Sequence, residues 1–159
     1  MSDYSFTDDV IDVRDLIERY EELEDELSSI ADIEDEIESL DPKEDKEEIR
    51  TAKENLEAKQ KELTSEQEEF DQLQEILDEL KGNGGDEQWR GDWYPLTLIN
   101  SDYFTEYAKE LVEDCGYIRR GAGEKELPWW ISIDWGDTAN NIKIDYTTID
   151  IEDETYYYR

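Results

Sequence analysis

The sequence predicts an α+β protein: an N-terminal antiparallel helical hairpin with a coiled-coil seam, then a small α+β domain with a short antiparallel sheet. In the first half, apolar residues recur at spacings of three and four. All five tryptophans follow the glycine-rich segment 81–86, and short alternating runs there predict strands. We therefore expect a tail (1–8), an acidic helical hairpin (9–81), a glycine-rich linker (82–91) and an aromatic-rich α+β domain (92–159).

The hairpin is predicted from two apolar seams and the short connection between them. The first seam comprises Val13, Leu16, Tyr20, Leu23, Leu27 and Ile30. Asp41 is expected to cap a second helix, with Pro42 at its first position and Glu44 completing a capping box. A second seam then runs to Leu80 as one helix. Because a short connection favours antiparallel neighbours, we expect a hairpin, the alternative being a long coiled coil between two chains of a homodimer.

The elements of the second half follow from shorter patterns. In order, these predict a strand at 96–99, a helix over about 102–115 capped by Asn100 or Ser101 and ended by Gly116, a half-buried strand at 129–135, a short helix at 136–143, and a hairpin formed by 146–151 and 155–158. Cys115 falls on the apolar face of the predicted helix, so we expect it in the core.

Charge is the strongest indication of function. The chain has 48 acidic and 16 basic residues, no histidine, and a net charge of −32. Such a field repels nucleic acids and anionic membranes and favours strongly basic surfaces. We therefore expect a basic, nucleic-acid-binding protein as the partner, and no direct binding to nucleic acid or membrane. No apolar run reaches the roughly 18 residues of a membrane span, and a single cysteine suits a reducing compartment, which predicts a cytoplasmic protein.

The first predicted helix carries the densest charge. Residues 12–41 contain 14 acidic residues and two arginines. Along a helix this is about one carboxylate per 3 Å, close to the phosphate spacing of about 3.4 Å along one DNA strand. The array is therefore predicted to imitate phosphates, although a solvated face that only confers solubility would show the same composition. The predicted outward, phosphate-mimicking residues are Asp15, Glu18, Glu21, Glu22, Asp25, Asp32, Asp35 and Glu36.

The aromatic residues predict a core and a protein contact rather than base stacking, because no basic stripe accompanies them. The candidate hydrophobic anchors are Trp89, Trp93, Trp129 and Trp130. Without histidine, a catalytic triad or a histidine-ligated metal site is excluded, and no calcium loop or glycine-rich phosphate loop occurs. We therefore expect neither an enzyme nor a bound metal or cofactor.

Six segments of the second half form a recognisable series: Trp93-Tyr94-Pro95-Leu96-Thr97-Leu98-Ile99, Tyr103-Phe104-Thr105-Glu106-Tyr107-Ala108-Lys109-Glu110-Leu111, Leu127-Pro128-Trp129, Ile133-Asp134-Trp135, Asp145-Tyr146-Thr147 and the tyrosine-rich end that closes on Arg159. Over about residues 92–159 the chain resembles short acidic proteins of phages and prophages, a group described as uncharacterised or antirestriction-type. The resemblance implies an origin in a mobile element, a location in the host cytoplasm and a counter-defence role. It departs from the group at 136–141, where relatives have better helix formers.

Two functions are thus predicted. In the first, the acidic helices block the DNA- or RNA-binding groove of a host restriction or CRISPR protein, either a nuclease or its targeting complex. In the alternative, the chain is a coiled-coil structural or adaptor protein whose charge only confers solubility.

Overall fold

The computed structural model describes residues 4–119 and 127–159 and confirms the α+β class. The described chain divides into two compact units. The first, here the helical unit, comprises 16–78; the second, here the sheet unit, comprises 4–15 and the described residues of 79–159. The elements are β1 (Val10–Asp12), α1 (Val13–Ser39), α2 (Lys46–Glu62), α3 (Thr64–Leu80), β2 (Asp86–Trp89), β3 (Asp92–Tyr94), β4 (Thr97–Asn100), α4 (Phe104–Asp114), α5 (Trp135–Lys143), β5 (Thr147–Ile151) and β6 (Glu154–Tyr158).

In the helical unit, α1 lies antiparallel to α2 and α3. The rings of Tyr20 and Phe70 stack with centroids 4.5 Å apart, whereas Ile33, near the other end of α1, shares a cleft with Ala52 of α2. The seam is fully buried at Leu23 but only half-buried at Leu27 and beyond. The apolar contact therefore weakens toward the connection between α1 and α2.

The second helix begins later than predicted and is interrupted once. Asp41 is not its cap, because its carboxylate accepts from the backbone N–H of Lys43 at 2.7 Å and closes a local turn instead. The helix starts at Lys46, and Asp45 occupies the N-cap position. The predicted single helix is divided at Leu63 into α2 and α3, although the N–H of Leu63 still reaches the carbonyl of Lys59 at 3.0 Å.

The sheet unit is built on a four-stranded antiparallel sheet in the order β1-β4-β6-β5. One face carries Ile99, which packs with Phe104 and Ala108 of α4 and Ala139 of α5. The other face is buried as well, through Ile11, Leu98, Ile149, Ile151, Tyr156 and Tyr158. The strand at 96–99, the helix at 102–115, the short helix at 136–143 and the final hairpin are confirmed, within one to two residues at most ends. The predicted cap of α4 is wrong, because Tyr103 occupies the N-cap position and Asn100 instead accepts from the N–H of Asp102 at 2.9 Å.

The N-terminal segment differs from its prediction. Residues 10–12, assigned to the hairpin, form β1 and pair with β4, so the helix begins at Val13. The described part of the predicted tail is held in place, since the Tyr156 hydroxyl donates to the carbonyls of Phe6 at 2.9 Å and Asp8 at 3.1 Å. The Asp9 carbonyl accepts from the N–H of Asn100 at 2.8 Å. Residues 6–12 therefore complete the sheet at the edge formed by β1.

The predicted linker is also ordered. Within 82–91, β2 pairs with β3, and the N–H of Gly82 donates to the carbonyl of Trp93 at 2.7 Å. Gly84 and Gly85 have φ of 77° and 65°, and a Cβ at either would overlap backbone atoms of Arg159 or Tyr94. These glycines serve close backbone approaches rather than a hinge.

The strand predicted at 129–135 does not form. The N–H of Ile131 donates to the carbonyl of Pro128 at 2.8 Å and closes a turn, and Asp134 caps α5 by accepting from the N–H of Asp137 at 2.9 Å. Turn and cap together outweigh the alternating pattern. Cys115, expected in the core, is exposed at the end of α4, where Gly116 with φ of 79° ends the helix as predicted. Of the helices described, none is long and apolar enough to cross a membrane.

Candidate acidic interaction surface

The three N-terminal helices differ sharply in charge. Helix α1 has 12 acidic and two basic residues, a net of −10, and α3 has seven acidic and no basic residues, a net of −7. Helix α2 has five of each, a net of zero, and ion pairs on its own surface join Arg50 to Glu47 at 3.1 Å and Lys59 to Glu62 at 3.6 Å. The acidic surface therefore belongs to α1 and α3.

The structure exposes most of the eight predicted phosphate-mimicking residues. Two differ from the prediction: Asp15 is half-buried in the first turn of α1, and Glu22 is half-buried and accepts from Arg19 at 3.0 Å. Asp15 interacts favourably with the helix dipole, and Glu22 is neutralised by its partner. The six exposed acids are Glu18, Glu21, Asp25, Asp32, Asp35 and Glu36.

These acids follow a seven-residue repeat. Glu18, Asp25 and Asp32 are spaced by seven, so they project from nearly the same side of α1, with a rise of about 10.5 Å per repeat. The two neighbouring rows have a serine at their centre: Ser28 lies midway between Glu21 and Asp35, and Ser29 midway between Glu22 and Glu36. We call these three lines of side chains the α1 rows.

The two serines of the α1 rows are occupied within the helix. The Ser28 hydroxyl donates to the carbonyl of Asp25 at 2.6 Å, and that of Ser29 to the carbonyl of Glu26 at 3.1 Å. Such bonds to the preceding turn keep short polar side chains close to the backbone. The centre of the outward surface is therefore less charged than its two ends.

A second acidic row on α3 was missed from the sequence. Glu68, Asp71, Glu75 and Asp78 are all exposed and follow one another at spacings of three, four and three. This spacing brings them onto one helix face. The same rule that identified the acids of α1 would have found this α3 row, but the predicted site was confined to the first helix.

Arg19 joins the two acidic helices. Its Nε and Nη2 donate to the two carboxylate oxygens of Glu69 at 3.0 and 2.9 Å, and its Nη1 donates to Glu22. The hydrogen bond to Glu69 is the main reason that the pKa of Arg19 rises above its usual value. A bidentate interaction of this kind fixes the orientation of both side chains. The helix that carries the α1 rows is therefore held against α3 by this ion pair and by the neighbouring Tyr20–Phe70 stack.

The four predicted aromatic anchors are placed in two groups within the sheet unit. Trp89 and Trp93 belong to the β2–β3 hairpin; Trp89 is half-buried with the Arg90 guanidinium 4.2 Å from its ring, and Trp93 is 52 % exposed. Trp129 and Trp130 are the central residues of the turn after Pro128 and are 95 % and 66 % exposed. A core role is therefore wrong for Trp93, Trp129 and Trp130, whereas it is confirmed for Tyr94, Tyr156 and Tyr158.

The acidic residues do not gather around a point. In the part of the chain that the structure describes, no group of three or more cysteine, aspartate or glutamate side chains is arranged to hold a metal ion. The carboxylates of α1 and α3 instead form extended lines, the arrangement suited to a long basic surface. Comparison with protein-family models, curated proteins and solved structures found no match for this chain.

Proposed function

We propose that this protein is a counter-defence inhibitor of a phage or other mobile element that imitates nucleic acid. Its acidic helices occupy the DNA- or RNA-binding groove of a basic host protein, of the restriction or CRISPR class. The observation that supports the proposal most directly concerns the helical unit, in which nearly all the unbalanced charge lies on α1 and α3 while α2 is neutral.

This confinement argues against solubility as the only role of the charge. Any exposed face would serve solubility, and α2 shows that this chain can build a solvated helix from balanced, paired charges. Like charges one turn apart destabilise a helix by about 0.2–0.5 kcal/mol per pair. Helix α1 contains such pairs at Glu21–Asp25 and Asp32–Glu36, and it has only two basic residues to form the opposite-charge pairs, such as Arg50 with Glu47, that offset repulsion in α2.

The dimensions of the α1 rows suit a groove made for a nucleic-acid strand. Seven helical residues rise about 10.5 Å, and three nucleotides of one strand rise about 10.2 Å. From Glu18 to Glu36 the rows extend about 27 Å, the length of about eight phosphates. Because the carboxylates are carried by a packed helix, less conformational entropy is lost on binding than for a disordered acidic tail.

The exposed tryptophans complete the proposal by providing specificity. Charge complementarity mainly accelerates association and excludes wrong partners, whereas tryptophan is among the residues that contribute most to interface affinity. Trp129 and Trp130, held at the tip of a closed turn, offer apolar area outside the acidic helices. We therefore expect them to contact an apolar site on the same partner.

The remaining properties follow from the same proposal. A net charge of −32 opposes direct contact with nucleic acids and anionic membranes. An inhibitor that acts by occupation needs neither a cofactor nor catalytic residues. A target of this class works in the host cytoplasm, which is where the inhibitor would act.

The first experiment identifies the target and tests the charge. The protein is used to capture partners from host lysate at low and high salt, with mass spectrometry of what is retained and competition by DNA and RNA. We expect a basic nucleic-acid-processing protein that salt and nucleic acid both release. Retention of phage structural proteins alone, indifferent to salt, would contradict the proposal.

Two triple variants then separate the surface from the net charge. Glu18→Lys, Asp25→Lys and Asp32→Lys alter one α1 row, and Glu48→Lys, Glu54→Lys and Glu57→Lys make the same charge change on α2. We expect the α1 variant to weaken binding by about 100-fold or more, since close charge pairs across interfaces contribute about 1.5 kcal/mol or more each. The α2 variant should change affinity less than about threefold. Equal losses would mean that only the total charge matters.

One observation favours the alternative, a coiled-coil adaptor. The apolar stripe of α1 is only half-buried at Leu27, Ile30 and Ile33, so a second chain could cover it. This alternative predicts a salt-independent homodimer in sedimentation experiments that Ile30→Asp dissociates. A dimer whose dissociation constant is unchanged by salt and by the Lys substitutions in α1 would favour the adaptor over the inhibitor.

A further inference from the structure

The sheet unit contains a second candidate binding site, in which the charge is supplied by a basic rather than an acidic side chain. A cleft of about 330 Å³ is lined by Leu96, Thr97, Ile99, Tyr107, Tyr146 and Arg159. No acidic side chain of the described residues lines it, in a chain with 48 acidic residues. Its size is at the lower end of the range for small-molecule sites.

Arg159 supplies the charge of this cleft. Its guanidinium carbon lies 5.3 Å from the centre of the Tyr146 ring, a distance at which a cation is attracted by the ring face. Arg14, Lys81 and Lys109 of the same unit each form an ion pair. Arg159 forms none with the described residues, although acids outnumber bases three to one. The guanidinium therefore remains able to bind an anion.

The backbone around Arg159 is fixed. Gly84 approaches it so closely that a Cβ at that position would overlap the Arg159 carbonyl group, and its φ of 77° suits glycine. The neighbouring residue Tyr158 is paired with Thr147 of β5. The cation is thus attached to an ordered part of the sheet unit, which lowers the entropy lost on binding.

Two tyrosine hydroxyls provide an uncharged hydrogen-bond donor in this cleft. The hydroxyl oxygens of Tyr107 and Tyr146 lie 3.0 Å apart, so one donates to the other and the second proton stays available. Burial, followed by the hydrogen bond to Tyr107, raises the pKa of Tyr146 well above its usual value. The phenol of Tyr146 therefore remains protonated at neutral pH and can act as a hydrogen-bond donor.

We propose that this cleft binds a small organic carboxylate. The guanidinium of Arg159 would bind the carboxylate, the free phenol proton and the Thr97 hydroxyl would supply further hydrogen bonds, and Leu96 and Ile99 would contact an apolar body. A carboxylate suits the single cation better than phosphate, because the chain's net charge of −32 opposes a second negative charge on the ligand. This site does not depend on the proposed inhibitor function.

The test is a titration of the full chain with benzoate, benzyl alcohol and inorganic phosphate, followed by amide and side-chain NMR at about 0.1 M ionic strength, where the Debye length is about 10 Å. We expect benzoate to shift the signals of Thr97, Tyr107 and Tyr146. Benzyl alcohol should bind at least about tenfold more weakly, because it cannot form the charge-assisted hydrogen bond to Arg159. Phosphate should also bind more weakly than benzoate, because the net charge of −32 opposes its second negative charge.

Variants identify the groups responsible. Arg159→Gln should weaken benzoate binding by about tenfold or more, Arg159→Lys less, and Tyr146→Phe by a few fold. Arg50→Gln, which removes an exposed cation of α2, is the matched control and should bind benzoate normally. Equal binding of benzoate and benzyl alcohol, unchanged affinity in Arg159→Gln, or no shift with benzoate would each overturn the proposal. Circular dichroism establishes that each variant remains folded.

Discussion

Arg19 and Glu69 lie fifty positions apart in the chain and form a two-point ion pair, with Nε–Oε1 and Nη2–Oε2 distances of 3.0 and 2.9 Å. Their side chains are 18 % and 32 % exposed, so water screens the pair less than it screens the surface pairs of α2. The pair joins the two helices that carry nearly all the unbalanced charge of the hairpin. It is therefore both a stabilising contact and a positioning contact for the acidic surface.

Arg19→Met is expected to lower the free energy of unfolding by about 1–3 kcal/mol, because it leaves Glu69 and Glu22 without their shared cation. Glu69→Leu should cost a similar amount, and the double variant less than the sum, which a double-mutant cycle in urea unfolding measures. Arg50→Met, which removes an exposed pair, is the control and should change stability by at most about 0.5 kcal/mol. Additive losses would show that the pair is not coupled.

Glu66 is expected to be the weakest position of the seam between α1 and α3. Its Oε2 atom is buried and has no hydrogen-bond partner among the described residues, and such an atom costs about 1–3 kcal/mol. Glu66→Leu should raise the free energy of unfolding by about 1 kcal/mol after allowance for the favourable dipole interaction of an acid in the first turn of α3. Glu68→Leu, at an exposed neighbour, should stay within about 0.5 kcal/mol. A lower midpoint in urea for Glu66→Leu would contradict this prediction.

Tyr103 should make the stability of the sheet unit sensitive to alkaline pH. Its hydroxyl donates to Glu110 at 2.7 Å, and this bond raises the pKa of Tyr103 to about 12. Because the unfolded tyrosine titrates near 10, the contribution to stability is complete below about pH 10 and is lost as the pH rises toward 12. Difference titration of phenolate absorbance between the wild type and Tyr103→Phe should reveal one tyrosine near 12. Glu110→Gln should lower that pKa; an unchanged value would exclude the carboxylate as its cause.

The helical unit was largely predictable, because a spacing of three and four over many residues has few alternative explanations. The sequence did not predict β1, because its three residues, Val10 to Asp12, are too few to show an alternating pattern. They form a strand because they pair with β4. The alternation of Ile131 and Ile133 predicted a strand that a turn and the Asp134 cap prevent. A long periodic pattern is enough to predict the secondary structure of its segment. The secondary structure of a short segment depends instead on its tertiary contacts.

The candidate acidic surface was also only partly predictable from the sequence. The exposed acids of α1 follow directly from its apolar seam, but the neutralisation of Glu22 depends on which side chains Arg19 can reach, and that depends on the register between α1 and α3. The neutrality of α2 is visible in composition only once the boundaries of the helix are known. The exposure of Trp129 and Trp130 required the turn, which no periodicity indicates.

The serines at the centre of the α1 rows allow a gain-of-function test of the proposed mimicry. Ser28→Glu and Ser29→Glu together complete two rows without touching the buried seam, since Ser28 is exposed and Ser29 half-buried. If the rows contact a basic groove, the double variant should bind the target more tightly by about threefold to tenfold and should show a steeper dependence of affinity on salt. Its helix should be less stable, because each new glutamate lies one turn from three acidic residues of α1.

The matched control adds the same two charges to α2, as Thr51→Glu and Asn55→Glu. Both variants then have the same net charge, so a long-range attraction between oppositely charged proteins would increase the affinity of both equally. An increase confined to the α1 variant, measured as a dissociation constant across a salt series, would indicate that the rows contact the partner. Equal increases, or none in either variant, would refute direct contact by the α1 rows and leave the acidic helices as a source of solubility alone.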